Sequence, residues 1–367
     1  MRTYSLCFLG FGRVNRSLVR LLAARESDLR INGVAYRLTG VASRRLGWIA
    51  DPAGLPASLV EAGDVHTLRS HVGGRVMGSR GIDDWLDRAR ADVVFEATSL
   101  NLETGKPAVD YIRKALEFGA DAITANKGPV LHAYEELSDL AAKQGRRFLF
   151  ESTVMDGIPL FSLFQETLPT IEVKSFHGVL NSTTNLILSR MENGLTFDEA
   201  LQLAQNLGIA EENADFDIDG YDAAIKTALL VRIIMGAQLR LPDIDRQGIR
   251  NLDLDAVRAA RKIGKPYRLI CRASRDGGRV RASVRPEQVP LTDPAAWVTD
   301  TSSVVCFETD IFPEITITET NPGLDATAYG MFSDFVRAVC RTPCSKTPKR
   351  ESPLTEVPIE RANRSSL

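Results

Sequence analysis

"YSLCFLGFGRVNRSLVRLLAAR", residues 4–25, is the stretch whose reading decides the fold. Residues 4–10 are a compact apolar run ending at Gly10, with Gly12 two positions later. Residues 16–25 then carry Leu and Val at helical spacing. "RLTGVAS", 37–43, follows as the next strand. A strand, a glycine turn, a helix and a second strand make a βαβ unit. Glycines in such a turn let the backbone approach a pyrophosphate, and the helix N-terminus offers free N–H groups and positive dipole. Asn15 stands where a third glycine would complete the pattern, so the motif alone is also compatible with a plain glycine turn. The strand–helix–strand context favours dinucleotide binding through Gly10, Phe11, Gly12, Val14 and Asn15.

The alternation continues with "DVVFEATS" (92–99), a helix over 107–119 stopped by Gly119, and "AIT" (122–124). A helix over 133–145 and the strand "RFLFEST" (147–153) complete it. Alternating strands and helices predict a parallel sheet. Beyond about 151 the rhythm changes. Longer strands at 171–181 and 279–289 are separated by helices, among them "TFDEALQLAQNLG" (196–208). Thr196 and Glu199 form a capping-box pair there, and Gly208 ends the helix. From 341 the chain is rich in Pro, Ser and charge, which predicts a disordered tail over 341–367. The fold class expected is α/β. A Rossmann-type nucleotide domain spans 1–150 and is completed by 320–340, and an α+β catalytic and dimerisation domain spans 151–319.

The chain has 367 residues, room for about two domains at ~150 residues each. Charged residues are 25% and hydrophobic ones 44%, as in soluble globular proteins. A net charge of −2 argues against nucleic acid or anionic membrane as partner. No run approaches the ~20 apolar residues of a membrane span, and the N-terminus lacks a signal-peptide pattern. Cys7, Cys271, Cys306, Cys340 and Cys344 show no zinc spacing, and their scatter suits a reducing cytoplasm. His66, His71, His132 and His177 have no metal-ligand spacing and read as structural.

Several residues carry candidate chemistry. The second strand ends at Ser43, Arg44 and Arg45 rather than at an acid. Arginines there suit a nucleotide 2′-phosphate, and the alternative is a solvated basic loop. Lys127, in "ANKGP", follows a parallel strand, where ligands of such sheets gather. "DIDGYDAAIKTALLVRIIMG", 217–236, predicts a helix that is apolar nearly all round. Asp222 and Lys226 sit four apart at its start and share a face. Six acids crowd residues 211–222, which fits either a solvated loop or a site for an ammonium group. "DFDIDG", 215–220, imitates half of a calcium loop, but Lys226 falls where the bidentate Glu belongs.

Together these pieces resemble homoserine dehydrogenase over roughly residues 4–337. The most specific segments are "NLETGKPAVDYIRKALEFGADAITANKGP", "ESTVMDGIP", "NPGLDATAYGMFSD" and "GVLNSTTNLILSRMENGLTFDEALQLAQNLGIAEENADFDIDGYDAAIK". The resemblance implies NAD(P)-linked interconversion of L-homoserine and L-aspartate 4-semialdehyde, a step toward threonine, methionine and isoleucine. It implies Lys226 as proton donor and acceptor, and Lys127 as a second active-site lysine beside the nicotinamide. Glu211 and Asp222 would bind homoserine. Thr98, Ser99, Gly208 and Gly323 would lie near the cofactor. Glu151, Val154, Asp156 and Ile158 align with a loop that can bind Na+ or K+, mainly through backbone carbonyls. A homodimer is implied. Burial and the nearby Lys127 are expected to favour a neutral Lys226 amine, able to act as a base. Arg44 and Arg45 point to NADP, with NAD as the second possibility.

The chain departs from the family at three places. "NGT" is Asn181-Ser182-Thr183, "AEADP" is "AEENA", and "GPGAG" is "TNPGL". Two other readings therefore stand beside the first: a related amino-acid dehydrogenase with an altered substrate, and a non-catalytic NADP-binding regulator. Only the tail follows "AYGMFSDF", so no dedicated amino-acid-binding regulatory domain is expected.

Overall fold

The computed structural model describes residues 1–72 and 81–340. Strands β1 (Arg2–Leu9), β2 (Val34–Ser43), β3 (Gly47–Ala50), β4 (Val93–Glu96), β5 (Asp121–Thr124) and β6 (Phe148–Leu149) form one sheet. Its order is β3-β2-β1-β4-β5-β6. Neighbours run parallel except β3, which turns back antiparallel on β2. Helices cover both faces, so β1 and β4 are near-continuous apolar runs rather than alternating ones. Leu6, Phe8, Val93 and Phe95 are fully buried. The chain reverses its direction of growth at β1, which leaves a crevice beyond the carboxyl ends of β1 and β4.

A second sheet contains β7 (Val173–Val179), β8 (Asp245–Arg246), β9 (Tyr267–Asp276), β10 (Arg279–Gln288), β11 (Ser303–Thr309) and β12 (Ile315–Glu319). The order is β12-β11-β7-β9-β10-β8, antiparallel throughout except for the β8–β10 pair. The Tyr221–Ile233 helix packs on β9 and β10, burying every residue from Ala223 to Val231 except Lys226. Its apolar circumference is thus explained by contact on several sides. The Leu324–Val339 helix leaves β12 and packs on the Arg13–Ala24 helix of the first sheet. Phe335 meets Phe95 and Tyr4 edge-on, with ring centroids 6.0 and 6.3 Å away.

Several expected boundaries shift by a few residues, and two shifts have a visible cause. The helix expected from 133 begins at Lys127, because Asn126 caps it by accepting from the Gly128 N–H at 2.9 Å. Ala133 leaves helical geometry at φ −143°, so the regular apolar period starts only after this kink. The strand expected over 147–153 ends at Leu149. Glu151–Thr153 form a 3-10 turn instead, since the Glu151 N–H donates to Asp334 Oδ2 at 2.9 Å and the Thr153 hydroxyl to the Phe150 carbonyl at 2.8 Å. Such local side-chain bonds compete with a ladder. The predicted disordered tail, Cys344 and the side chain of His71 lie outside the described residues.

Candidate active site

The crevice above β1 and β4 is a cleft of about 790 Å³, lined by the 9–12 turn, Ser43, Arg44, Arg45, Thr98 and Ser99 among others. Gly10 has φ +78°, and a Cβ there would meet the Ala97 carbonyl oxygen at 2.4 Å. Only glycine fits, because both the backbone angle and the neighbouring strand exclude a side chain. Gly12 caps the Arg13–Ala24 helix without a side-chain bond, so the helix N–H groups open toward the cleft. Asn15 is buried, and its Nδ2 donates to the carbonyls of Leu9 and Gly10 at 3.2 and 2.8 Å. It holds the turn from inside, while the half-buried Val14 packs against the core of the first sheet. Arg44 and Arg45 are exposed at the end of β2, and Arg45 Nη2 donates to the Gly63 carbonyl at 3.2 Å.

A hydrogen-bonded chain leads from this cleft to the lysines. Buried Glu96 accepts from the Thr98 N–H and hydroxyl at 2.7 and 2.6 Å and from the Thr124 hydroxyl at 2.6 Å. Burial raises its pKa against the pull of these donors. Asn126 Nδ2 donates to the Thr98 carbonyl at 3.2 Å and, as the helix cap, fixes where Lys127 begins. Lys127 Nζ then lies 3.2 Å from Asp222 Oδ1, and Lys226 Nζ lies 3.0 Å from Asp222 Oδ2. One buried carboxylate from the second sheet's helix therefore joins two ammonium groups, one from each sheet's helices. Lys226 Nζ also donates to the Leu180 carbonyl at 2.6 Å. Asn181 Nδ2 donates to Asp222 Oδ2 at 3.0 Å and to Asp217 Oδ1 at 2.8 Å, and the Thr183 hydroxyl donates to Asp217 Oδ2 at 2.9 Å.

The charges have definite directions. Burial opposes ionisation of Asp222, but Lys127, Lys226 and the Asn181 amide hold it well below the usual carboxylate range. Burial and the Asp222 charge push Asp217 up. Burial alone would lower Lys226, yet Asp222, Asp156 and Asp217 outweigh it and raise its pKa. This corrects the expectation of a neutral amine: Lys127 and Lys226 meet on the two oxygens of Asp222, and Asp222, Asp156 and Asp217 together hold the Lys226 proton.

The model described as "Homoserine dehydrogenase, NAD binding domain" matches residues 10–151, and the one described as "Homoserine dehydrogenase" matches 159–336. The chain is 33% identical over 343 residues to the NAD(+)-dependent homoserine dehydrogenase of Pseudomonas canavaninivorans, covering 92% of this chain and 96% of that one. The chain belongs to the homoserine dehydrogenase family. Homoserine dehydrogenase of Methanocaldococcus jannaschii is 34% identical over 337 residues, covering 90% of this chain and 97% of that one. A hyperthermophilic archaeal homoserine dehydrogenase in complex with NADPH superposes with a TM-score of 0.78 at 26% identity, covering 93% of this chain and 99% of that chain. The fold, an oxidoreductase of this family and a nicotinamide cofactor follow.

Within the family frame, the structure gathers some expected residues and separates others. Lys127, Asp222 and Lys226 meet. Glu211 does not join them: it is exposed on the loop after the Phe197–Asn206 helix, and its backbone carbonyl accepts from Gln205 Nε2 at 3.3 Å. Gly208 terminates that helix region with φ +69°, and Gly323 caps the Leu324–Val339 helix. Neither is among the described residues lining the cleft. The Glu151 carboxylate is already occupied. It accepts from the N–H groups of Leu160 and Phe161 at 2.6 Å each and of Ser162 at 3.0 Å, and Arg337 Nη1 lies 3.2 Å away. Val154 is buried, Asp156 accepts from the Thr327 hydroxyl at 2.7 Å, and the Ile158 carbonyl accepts from the Leu160 N–H at 2.8 Å. The Glu151 and Asp156 carboxylates are thus engaged within the protein, so a Na+ or K+ on this loop would rest on backbone carbonyls, and no chemical step below passes through a cation. Asp217, Asn181 and Thr183 join the cluster in roles that the sequence did not assign. Away from the cleft, His177 Nε2 lies 3.0 Å from Asp293, with Cys306 beside them, a grouping that sequence spacing hides. Among the described residues, no helix is long and apolar enough to cross a membrane.

Proposed function

We propose that the cleft and the Asp222 cluster are one active site that interconverts L-homoserine and L-aspartate 4-semialdehyde. The observation that supports this most is the pair of ammonium groups held on one buried carboxylate beside the nucleotide cleft. The residues of that cleft fit a dinucleotide: a turn closed to any Cβ, an open helix N-terminus, and two exposed arginines. When bound, the nicotinamide exchanges a hydride with C4 of the substrate. In reduction, Lys226 gives its proton to the aldehyde oxygen as that carbon gains the hydride, and the neutral amine is recharged from solvent. In oxidation, Lys226 must first be neutral so that it can accept the hydroxyl proton. Asp222 holds Lys226 in place. Sharing Asp222 with Lys127 weakens its grip on either proton.

Because surrounding acids raise Lys226, the neutral form is scarce near neutrality. The rate of homoserine oxidation should therefore climb about tenfold per unit between roughly pH 7 and 9, while reduction stays level. A pH-independent oxidation rate over that interval, once release steps are excluded by single-turnover kinetics, would assign the proton to another group.

We further propose NADP as the preferred cofactor. Arg44 and Arg45 end β2 where an acid would repel a 2′-phosphate. A charge-assisted hydrogen bond contributes about 1.5–3 kcal/mol, so NADP should bind at least ~10-fold tighter than NAD. Replacing both arginines by Ala should weaken NADP and leave NAD nearly unchanged in fluorescence titrations. Equal affinities in the wild type would make the arginines a solvated loop and the chain indifferent to the 2′-phosphate, and tighter NAD would align it with the Pseudomonas relative, which is named NAD(+)-dependent. A homodimer in the cytoplasm completes the reading. The buried reduced thiols Cys7, Cys271 and Cys306 support that compartment, and sedimentation would report the assembly.

A further inference from the structure

The helix that starts at Lys127 bends early. Its first segment, residues 127–132, ends where Ala133 departs to φ −143°. In a regular helix the Val130 and Leu131 carbonyls would meet the N–H groups of residues 134 and 135, which lie beyond this kink. A side chain of the Tyr221–Ile233 helix reaches the same two carbonyls. Arg232 Nη1 donates to the Val130 carbonyl at 3.1 Å and to the Leu131 carbonyl. Arg232 Nε lies 3.2 Å from Glu135 Oε1, on the far side of the kink. The guanidinium thus spans the bend, and a side chain inserted at the i→i−4 ladder is a known cause of such a kink.

The other end of the segment is held on Asp222, whose Oδ1 lies 3.2 Å from Lys127 Nζ. Asp222 and Arg232 stand on one helix, about 15 Å apart along its axis. One tie would leave the 127–132 segment free to pivot. Two ties at that spacing fix its angle as well as its place. The segment also hangs on the wall of the nucleotide cleft: Asn126 Nδ2 donates to the Thr98 carbonyl at 3.2 Å, and His132 Nε2 to the Leu102 carbonyl at 2.8 Å.

We propose that Arg232 is a positioning residue for Lys127: by holding the Val130 and Leu131 carbonyls, it sets the segment at the angle that places the Lys127 ammonium on Asp222, beside Lys226. Arg232 itself touches no reacting group. The inference rests on the activity proposed above.

The consequence falls on Lys226. It is faced by Asp222 of its own helix, by Asp217 and Asp156 from neighbouring loops and turns, by Glu319 at the end of β12 and by the Cys271 thiol of β9. Lys127 enters this set by drawing on Asp222. When Lys127 is withdrawn, a repelling ammonium leaves and Asp222 is free to bind Lys226 alone. Lys226 then holds its proton to higher pH, and the neutral amine needed for oxidation becomes scarcer.

The test is the pH profile of kcat/KM for homoserine oxidation. Arg232→Met should lower it roughly 10-fold at pH 8, which is the alkaline limb moved up by about one pH unit. Arg232→Lys keeps the charge, but a point ammonium cannot hold two carbonyls and Glu135 together. It should move the limb the same way by less, and it stands in if Arg232→Met does not fold. In a Lys127→Met background, either change at Arg232 should move the limb no further. A second measurement needs no turnover. Acetic anhydride should label Lys127 several-fold faster in the Arg232 variants than in the wild type, with Lys114 and Lys174 as internal controls by peptide mass spectrometry. An unmoved limb, unchanged Lys127 labelling, or a full further shift in the Lys127→Met background overturns the proposal. Wild-type protein that does not oxidise homoserine would refute the catalytic reading, and the labelling then decides the role of Arg232 by itself.

Discussion

Lys226→Met should retain nucleotide binding and lose at least ~10²-fold in turnover, the low end for removal of a general acid–base group. The methionine fills most of the lysine's volume on a helix whose other positions are packed, so the fold should survive. What disappears is the group that moves the proton. Asp222 then keeps only Lys127 as a cation, at 3.2 Å. Loss should appear in both directions of the reaction, because the same nitrogen gives the proton in one and takes it in the other. Near-wild-type turnover would move the proton to Lys127.

Arg337→Met should lower stability by about 3–5 kcal/mol, the usual cost of removing one partner from a buried ion network. Arg337 Nη1 lies 3.2 Å from Glu151 and 2.7 Å from Asp334, and Nη2 lies 2.8 Å from Glu166. Glu151 and Asp334 are 2% and 0% exposed, so water cannot replace the guanidinium. Glu151 in turn holds the N–H groups of Leu160, Phe161 and Ser162. The network therefore ties the last helix to the junction between the two sheets. Burial pushes Asp334 up to about 7, against the pull of Arg337. A carboxyl raised in the folded state contributes stability below its unfolded pKa of ~3.9, and loses it as pH rises through about 7. The damage in Arg337→Met should thus be larger at pH 8.5 than at pH 6, where protonation relieves the unpaired carboxylate. Thermal melts at both values test this: a drop of roughly 10 °C is expected at the higher one. An unchanged melting temperature would show that the carboxylates have other partners.

The nucleotide half of the fold was legible because it is local. Apolar residues 4–9, Gly10, Gly12 and the spacing of 16–25 each specify backbone geometry without distant help. Asp222 and Lys226 were legible as neighbours for the same reason, four apart on one helix. Lys127 was nominated by its place after a parallel strand, but its meeting with Asp222 depends on how the two sheets dock. The charge state of Lys226 was misread in part for that reason: Asp222, its neighbour on the helix, pulls hardest on the proton, and Asp156 and Asp217, which arrive through tertiary folding, add to it and outweigh burial. Glu211 was assigned through the resemblance to the family, and in the structure it stands exposed on the loop after the Phe197–Asn206 helix.

The most direct test of the central claim follows reduced-nicotinamide absorbance when purified protein meets L-homoserine with NADP, and separately with NAD. The account predicts homoserine-dependent formation of the reduced cofactor, faster at alkaline pH, and its disappearance in Lys226→Met protein that still binds NADP. Tight nucleotide binding with no homoserine-dependent reduction of either cofactor, at any pH from 7 to 10, would contradict it.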